Sequence, residues 1–181
     1  GIAGSFDVTV RHGVITGLAA AGDPAPGLVL AGAFVDPHVH LRVPGREDEE
    51  TIATGTAAAA AGGYCAILAM PNTDPVVDSA AVLGALIELA REEAAIPTGF
   101  MATISKSLGG EELTEMVELA RLGAAGFTDD GHPVVSAGLM RRALRYRAAP
   151  RRTLAPTEGA PPHGPAPKSR APSGRAWAGA S

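Results

Sequence analysis

Six side chains in this chain have the types and spacing to do chemistry. His38 and His40 stand two residues apart at the end of the apolar run Leu28–Val35. That run reads as a buried strand, and side chains at i and i+2 of a strand share a face, so both imidazoles point to one spot. Two nitrogens converging beside a strand end form the first half of a zinc site, or else a pair of surface histidines near a turn. Arg42 follows two residues later with a guanidinium fork shaped for a carboxylate. Asn72, in Met70-Pro71-Asn72-Thr73-Asp74-Pro75, can donate and accept toward a polar ligand or simply build a proline-stiffened turn. In Thr128-Asp129-Asp130-Gly131-His132-Pro133, a carboxylate at a strand end can serve two metal ions or form an Asx turn. Asp36 can orient a ligand imidazole through its second nitrogen or cap the strand end.

These residues need a scaffold that gathers strand ends. Phe6–Val10 and Val14–Leu18 flank His12-Gly13 and read as a hairpin, a small β element over residues 1–32. From Ala33 the pattern becomes strands alternating with helices. Ala33–Asp36 is a strand, and acidic Glu47–Glu50 open an Ala-rich helix that Gly62-Gly63 stops. Tyr64–Ala69 is the next strand, followed by a helix from an Asp78 or Ser79 cap to about Ala94. Thr98–Thr103 and a helix over Glu111–Leu122 make a third unit. Ala124–Phe127 and a helix over Ser136–Arg147 make the fourth. Successive βα units with short connections imply a parallel sheet covered by helices. No Gly-rich phosphate turn follows the first strand, which argues against a doubly wound sheet. The polar residues instead cluster after strands, as at the mouth of a (β/α)₈ barrel. The expected fold class is therefore α/β: a partial TIM-type barrel of about four βα units over residues 33–147. A whole barrel takes about 250 residues.

Composition bounds the remaining possibilities. The chain has 181 residues, and Cys65 is its single cysteine, so there is no disulfide framework, as expected of a reducing compartment. Asp23, Pro24 and Pro26 interrupt the longest apolar stretch, so no membrane span is expected, and no export signal is legible. The expected location is the cytoplasm. The net charge of −4 divides into −8 over residues 1–147 and +4 over residues 148–181. That basic tail lacks interleaved aromatics, so no nucleic-acid partner is expected. Of the 34 residues in 148–181, nine are Ala, seven Pro and four Gly, and no strand or amphipathic helix can be drawn through them. The segment reads either as a disordered tail or as out-of-frame translation of a GC-rich gene, which the other two reading frames would distinguish.

Together the motifs resemble one family. Phe34-Val35-Asp36-Pro37-His38-Val39-His40-Leu41-Arg42-Val43-Pro44-Gly45 is similar to the metal-binding signature of dihydroorotases in the amidohydrolase superfamily. Gly62-Gly63-Tyr64 with Ala69-Met70-Pro71-Asn72-Thr73, and Phe127-Thr128-Asp129-Asp130-Gly131, resemble that family's later blocks in the same order. The resemblance implies a zinc-dependent hydrolase with two ions in the complete site. It also implies interconversion of dihydroorotate and N-carbamoyl-aspartate in pyrimidine synthesis. His38 and His40 would bind the first zinc, and Asp130 would bridge the ions, with Asp129 the reserve candidate. Arg42 and Asn72 would hold the substrate's carboxylate. Hydantoinases, dihydropyrimidinases and allantoinases differ at the arginine, which favours an anionic ring substrate. His12 and His132 match no ligand position, and His163 is rejected. The family's later histidines and its catalytic Asp have no counterpart after Arg147. The expectation is therefore a truncated, inactive chain with no catalytic residue of its own, marginally folded or oligomeric. Two alternatives are a non-catalytic partner of aspartate carbamoyltransferase and a fragment of an allantoinase or hydantoinase.

Overall fold

A computed structural model describes residues 4–22 and 29–146 and the backbone strand at Thr153–Leu154. The chain forms two compact units, Gly1–Ala33 and Phe34–Ser181. In the first, β1 (Phe6–Arg11) and β2 (Val14–Ala20) pair antiparallel, with a register shift between Thr9 and Val10. His12 (φ 50°) and Gly13 (φ 75°) turn the chain. Positive φ at both central residues gives a two-residue turn the twist that suits a hairpin.

The second unit alternates strand and helix. In order come β3 (Phe34–Val39), α1 (Ile52–Ala61), β4 (Tyr64–Ala69), α2 (Ala80–Glu93) and β5 (Thr98–Ala102). They are followed by α3 (Met116–Leu122), β6 (Gly126–Phe127), α4 (Ala137–Tyr146) and β7 (Thr153–Leu154). The five strands are parallel and lie in the order β3-β4-β5-β6-β7. A doubly wound sheet reverses its strand order at a switch point. This one never reverses, so successive right-handed crossovers lay the helices on one face and the sheet curls as a half-barrel. Ile67, Phe100, Ala102 and Phe127 of the sheet pack with Ile52, Leu83, Leu86, Leu119 and Ala143 of the helices.

Local chemistry explains where the elements start, and in places it differs from expectation. Helix α1 begins after Thr51, whose side chain accepts from the Thr54 N–H while the Thr54 hydroxyl accepts from the Thr51 N–H. This reciprocal cap leaves Glu47–Glu50 in turns ahead of the helix. Helix α3 starts at Met116, not Glu111. The backbone of residues 112–114 is instead tied to the chain after β5, with Lys106 N–H donating to the Glu112 carbonyl and Thr114 N–H to that of Ile104. Asp78 does not cap α2; its carboxylate accepts from the Ser107 N–H, and Ser79 takes the N-cap position.

The second difference concerns the end of the chain. Thr153–Leu154 pairs with Gly126–Phe127. A strand therefore lies within the segment through which none had been drawn, and β6 has neighbours on both sides. Apart from Thr153–Leu154, the segment 148–181 read as a disordered or out-of-frame tail, His163 included, lies outside the described residues. At the other rim, β3 is paired only with β4 among the described residues, and Phe34 and Val35 are 61% and 58% exposed.

Two glycines set the loops beside the strand ends. A Cβ on Gly55 of α1 would meet Leu41 Cδ2 at 2.5 Å. The glycine lets the helix lie on the residue between His40 and Arg42. Gly45 has φ 106°, and a Cβ there would come within 2.2 Å of the Asp74 carbonyl oxygen. The loops after β3 and β4 thus touch backbone to backbone, and Asp74 N–H donates to the Pro44 carbonyl at 3.0 Å.

Candidate metal centre

The centre is assembled from the loops after three strands. His38 lies within the last residues of β3 and His40 just beyond it; their ring centroids are 5.3 Å apart. The Asp36 carboxylate accepts from the His38 N–H at 3.0 Å, so this side chain caps the strand end. Met70 N–H donates to the Val39 carbonyl at 2.8 Å, which brings the loop after β4 beside His40. The Asn72 amide oxygen then lies 2.9 Å from His40 Nδ1. An amide oxygen only accepts, so the contact orients the His40 ring with Nδ1 toward the loop after β4.

The loop after β6 closes the cluster. Asp130 Oδ1 is 3.2 Å from His38 Nε2 and its Oδ2 is 4.0 Å from His40 Nδ1. One ligand atom from each of His38, His40 and Asp130 lies within 4.8 Å of the others. The donor set, two imidazole nitrogens and one carboxylate oxygen, is of the kind zinc takes, and it fits a single small divalent ion. The His38 side chain is 60% exposed.

Asp129 points elsewhere. It is 1% exposed, and its Oδ1 accepts from the N–H groups of Ile104 (2.8 Å) and Ser105 (3.0 Å). Its Oδ2 accepts from the Ser105 hydroxyl at 2.5 Å. Of the two adjacent acids, then, Asp130 meets the histidines and Asp129 is turned inward. Asp130 adopts φ 39°, in the left-handed region.

Arg42, also at positive φ (55°), lies between buried Leu41 and Val43, with its Nε 3.5 Å from Glu49 Oε2. Glu49 also pairs with Arg46. Glu47 Oε1 accepts from the Gly45 N–H at 2.9 Å, which lowers the Glu47 pKa. The two side chains expected to hold a substrate carboxylate therefore each touch protein, Arg42 at Glu49 and Asn72 at His40. Glu49 and Ser105 carry no sequence signal that marks them as partners of site residues. His12 sits in the hairpin turn, and His132 in a loop where its N–H donates to the Asp129 carbonyl at 3.0 Å.

A profile of the Dihydro-orotase-like family matches residues 27–155, a span that takes in β3 through β7. A dihydroorotase of Geobacter sp. (strain M21) is 46% identical over 154 residues, covering 81% of this chain and 36% of the relative. One from Anaeromyxobacter dehalogenans is 52% identical over 116 residues, covering 64% and 27%. The chain thus spans about a third of the length of such relatives. Among solved structures, an L-hydantoinase (dihydropyrimidinase) from Arthrobacter aurescens superposes with a TM-score of 0.60 at 21% identity. It covers 80% of this chain and 35% of that one, a likeness of fold.

Proposed function

Because the chain belongs to the dihydro-orotase-like family, we propose that it carries the first metal-binding half of a zinc-dependent cyclic amide hydrolase. The reaction is the interconversion of dihydroorotate and N-carbamoyl-aspartate in pyrimidine synthesis. The observation that supports this reading above all is the meeting of His38, His40 and Asp130 across 92 residues of sequence.

Zinc at these ligands would supply Lewis acidity and bring the pKa of a bound water to about 7. The chain's own residues have definable parts. Asn72 orients the His40 ring through Nδ1, and its amide N–H groups remain to donate toward a substrate carboxylate. Arg42 supplies the fork for that carboxylate, exchanging its contact with Glu49 for one with the substrate. Asp130, spanning both imidazoles, supplies the anionic oxygens. Ring opening also needs a group to protonate the departing nitrogen, and the family resemblance assigns that to an aspartate beyond the matched strands. On this reading the chain binds zinc and an anionic ring. No helix among the described residues is long and apolar enough to cross a membrane.

The test is binding to the zinc-loaded chain of dihydroorotate and of dihydrouracil, which lacks the carboxylate, followed by calorimetry or NMR. Dihydroorotate is expected to bind, dihydrouracil not, and Arg42→Ala to abolish the difference. Equal binding of both rings would overturn the anionic-substrate reading.

A further inference from the structure

The strand that delivers Asp130 is too short to aim it. β6 has two residues, and its ladder to β5 consists of Met101↔Gly126 and Ala102↔Phe127, extended by one bond from Thr128 N–H to the Ala102 carbonyl. Beyond that point the chain turns to a non-glycine residue at φ 39°. Such a backbone is uncommon for a residue with a Cβ; aspartate takes it more readily than most, and contacts that hold the turn favour it further.

The neighbour that holds it is Asp129. Its carboxylate takes three donors, the N–H groups of Ile104 and Ser105 and the Ser105 hydroxyl, all from the chain just past β5. Ser105 Oγ is itself held by the Gly110 N–H at 2.8 Å. The Asp129 carbonyl accepts from the His132 N–H, and Thr128 Oγ1 accepts from the Asp130 N–H at 3.1 Å. Asp130 is thus pinned on both sides. A buried carboxylate is costly unless fully hydrogen-bonded, and this one faces donors only. An asparagine in its place would turn an NH₂ toward the Ser105 hydroxyl or toward two backbone N–H groups.

We infer that Asp129 is a positioning residue for the metal centre: its clamp on Ile104 and Ser105 sets the backbone from which Asp130 reaches His38 and His40. This rests on the reading of Asp130 as a metal ligand. Groups that orient ligands from outside the coordination sphere are commonly worth 10–100-fold in metal affinity.

The test compares wild type, Asp129→Asn and Ser105→Ala in the purified chain. Zinc affinity is read by competition with a chromophoric chelator, and ligand geometry by the visible spectrum of the Co²⁺-loaded protein. Circular dichroism and melting of the metal-free proteins report the fold, and Thr56→Val serves as a destabilised control whose side chain bonds Ile52 and Ala95 and no site residue. Asp129→Asn is expected to bind zinc 10–100-fold more weakly with altered cobalt bands, Ser105→Ala to shift both less, and Thr56→Val to melt lower with wild-type affinity and spectrum. If Asp129→Asn does not fold, Ser105→Ala decides. Wild-type affinity and cobalt bands in the folded clamp variants would overturn the inference while leaving the zinc reading intact. Absence of zinc binding by wild type would overturn both, and is seen before any variant is made.

Discussion

The Asn72 amide oxygen sits 2.9 Å from His40 Nδ1, joining the loop after β4 to the imidazole that follows β3. This contact orients the ring. Asn72→Ala is expected to keep the fold and to weaken zinc binding by about 10-fold or more. Calorimetric titration with zinc checks this, and an unchanged affinity would mean that the ring needs no such partner.

The contact between the loops after β3 and β4 depends on Gly45. Its φ of 106° and the 2.2 Å approach to the Asp74 carbonyl leave no room for a methyl group. Gly45→Ala is expected to cost about 1–3 kcal/mol of stability from backbone strain, with displacement of the Asp74 backbone in addition. Gly84 in the middle of α2 is the opposite case. A Cβ there makes only ordinary contact with Leu122 Cδ2 at 3.8 Å, so Gly84→Ala should stabilise by about 0.5–1 kcal/mol. Urea denaturation of the two variants should move the midpoint in opposite directions.

Thr56 is fully buried in α1, donating to the Ile52 carbonyl at 2.6 Å and accepting from the Ala95 N–H at 2.9 Å. Thr56→Val keeps the shape but leaves that N–H without its acceptor. The expected loss is about 1–3 kcal/mol. Amide exchange at Ala95 should accelerate in parallel, and protection equal to wild type would contradict it.

The turn that carries Arg42 has an acid-sensitive element. Glu47 accepts from the Gly45 N–H, and this holds its carboxyl below the ordinary value of 4.5. A carboxyl lowered in the folded state binds fewer protons there than in the unfolded chain, so its contribution is present above pH 4.5 and is lost as pH falls through the lower folded value. An NMR titration of the Glu47 side chain should give a midpoint under 4.5, and Glu47→Gln should remove this part of the acid dependence.

Much of the site was legible because strand geometry is periodic. His38 and His40 share a side of the chain whatever the rest of the fold does, and the alternation of strands and helices implied a common end for the loops. The choice between Asp129 and Asp130 had no such signal. The two acids are adjacent and chemically alike, and what separates them is a set of donors from Ile104 and Ser105, about 24 residues away. The start of α3 departs from the sequence expectation for a related reason. Glu111, Glu112 and Glu115 are good helix formers, but local propensity lost to backbone pairing with the chain after β5. β7 escaped notice because two residues in Arg- and Pro-rich surroundings carry no periodicity at all.

The unbroken strand order β3 through β7 has one more consequence. Parallel neighbours that never reverse put every outgoing loop on the same rim, so the loops carrying His40, Asn72 and Asp130 answer to separate strands. The loops after β3 and β4, joined at Gly45 against Asp74 and at His40 against Asn72, would have to change together. A lineage could exchange the contents of such a coupled pair for another ligand or another substrate contact while the apolar layer beneath stayed as it was.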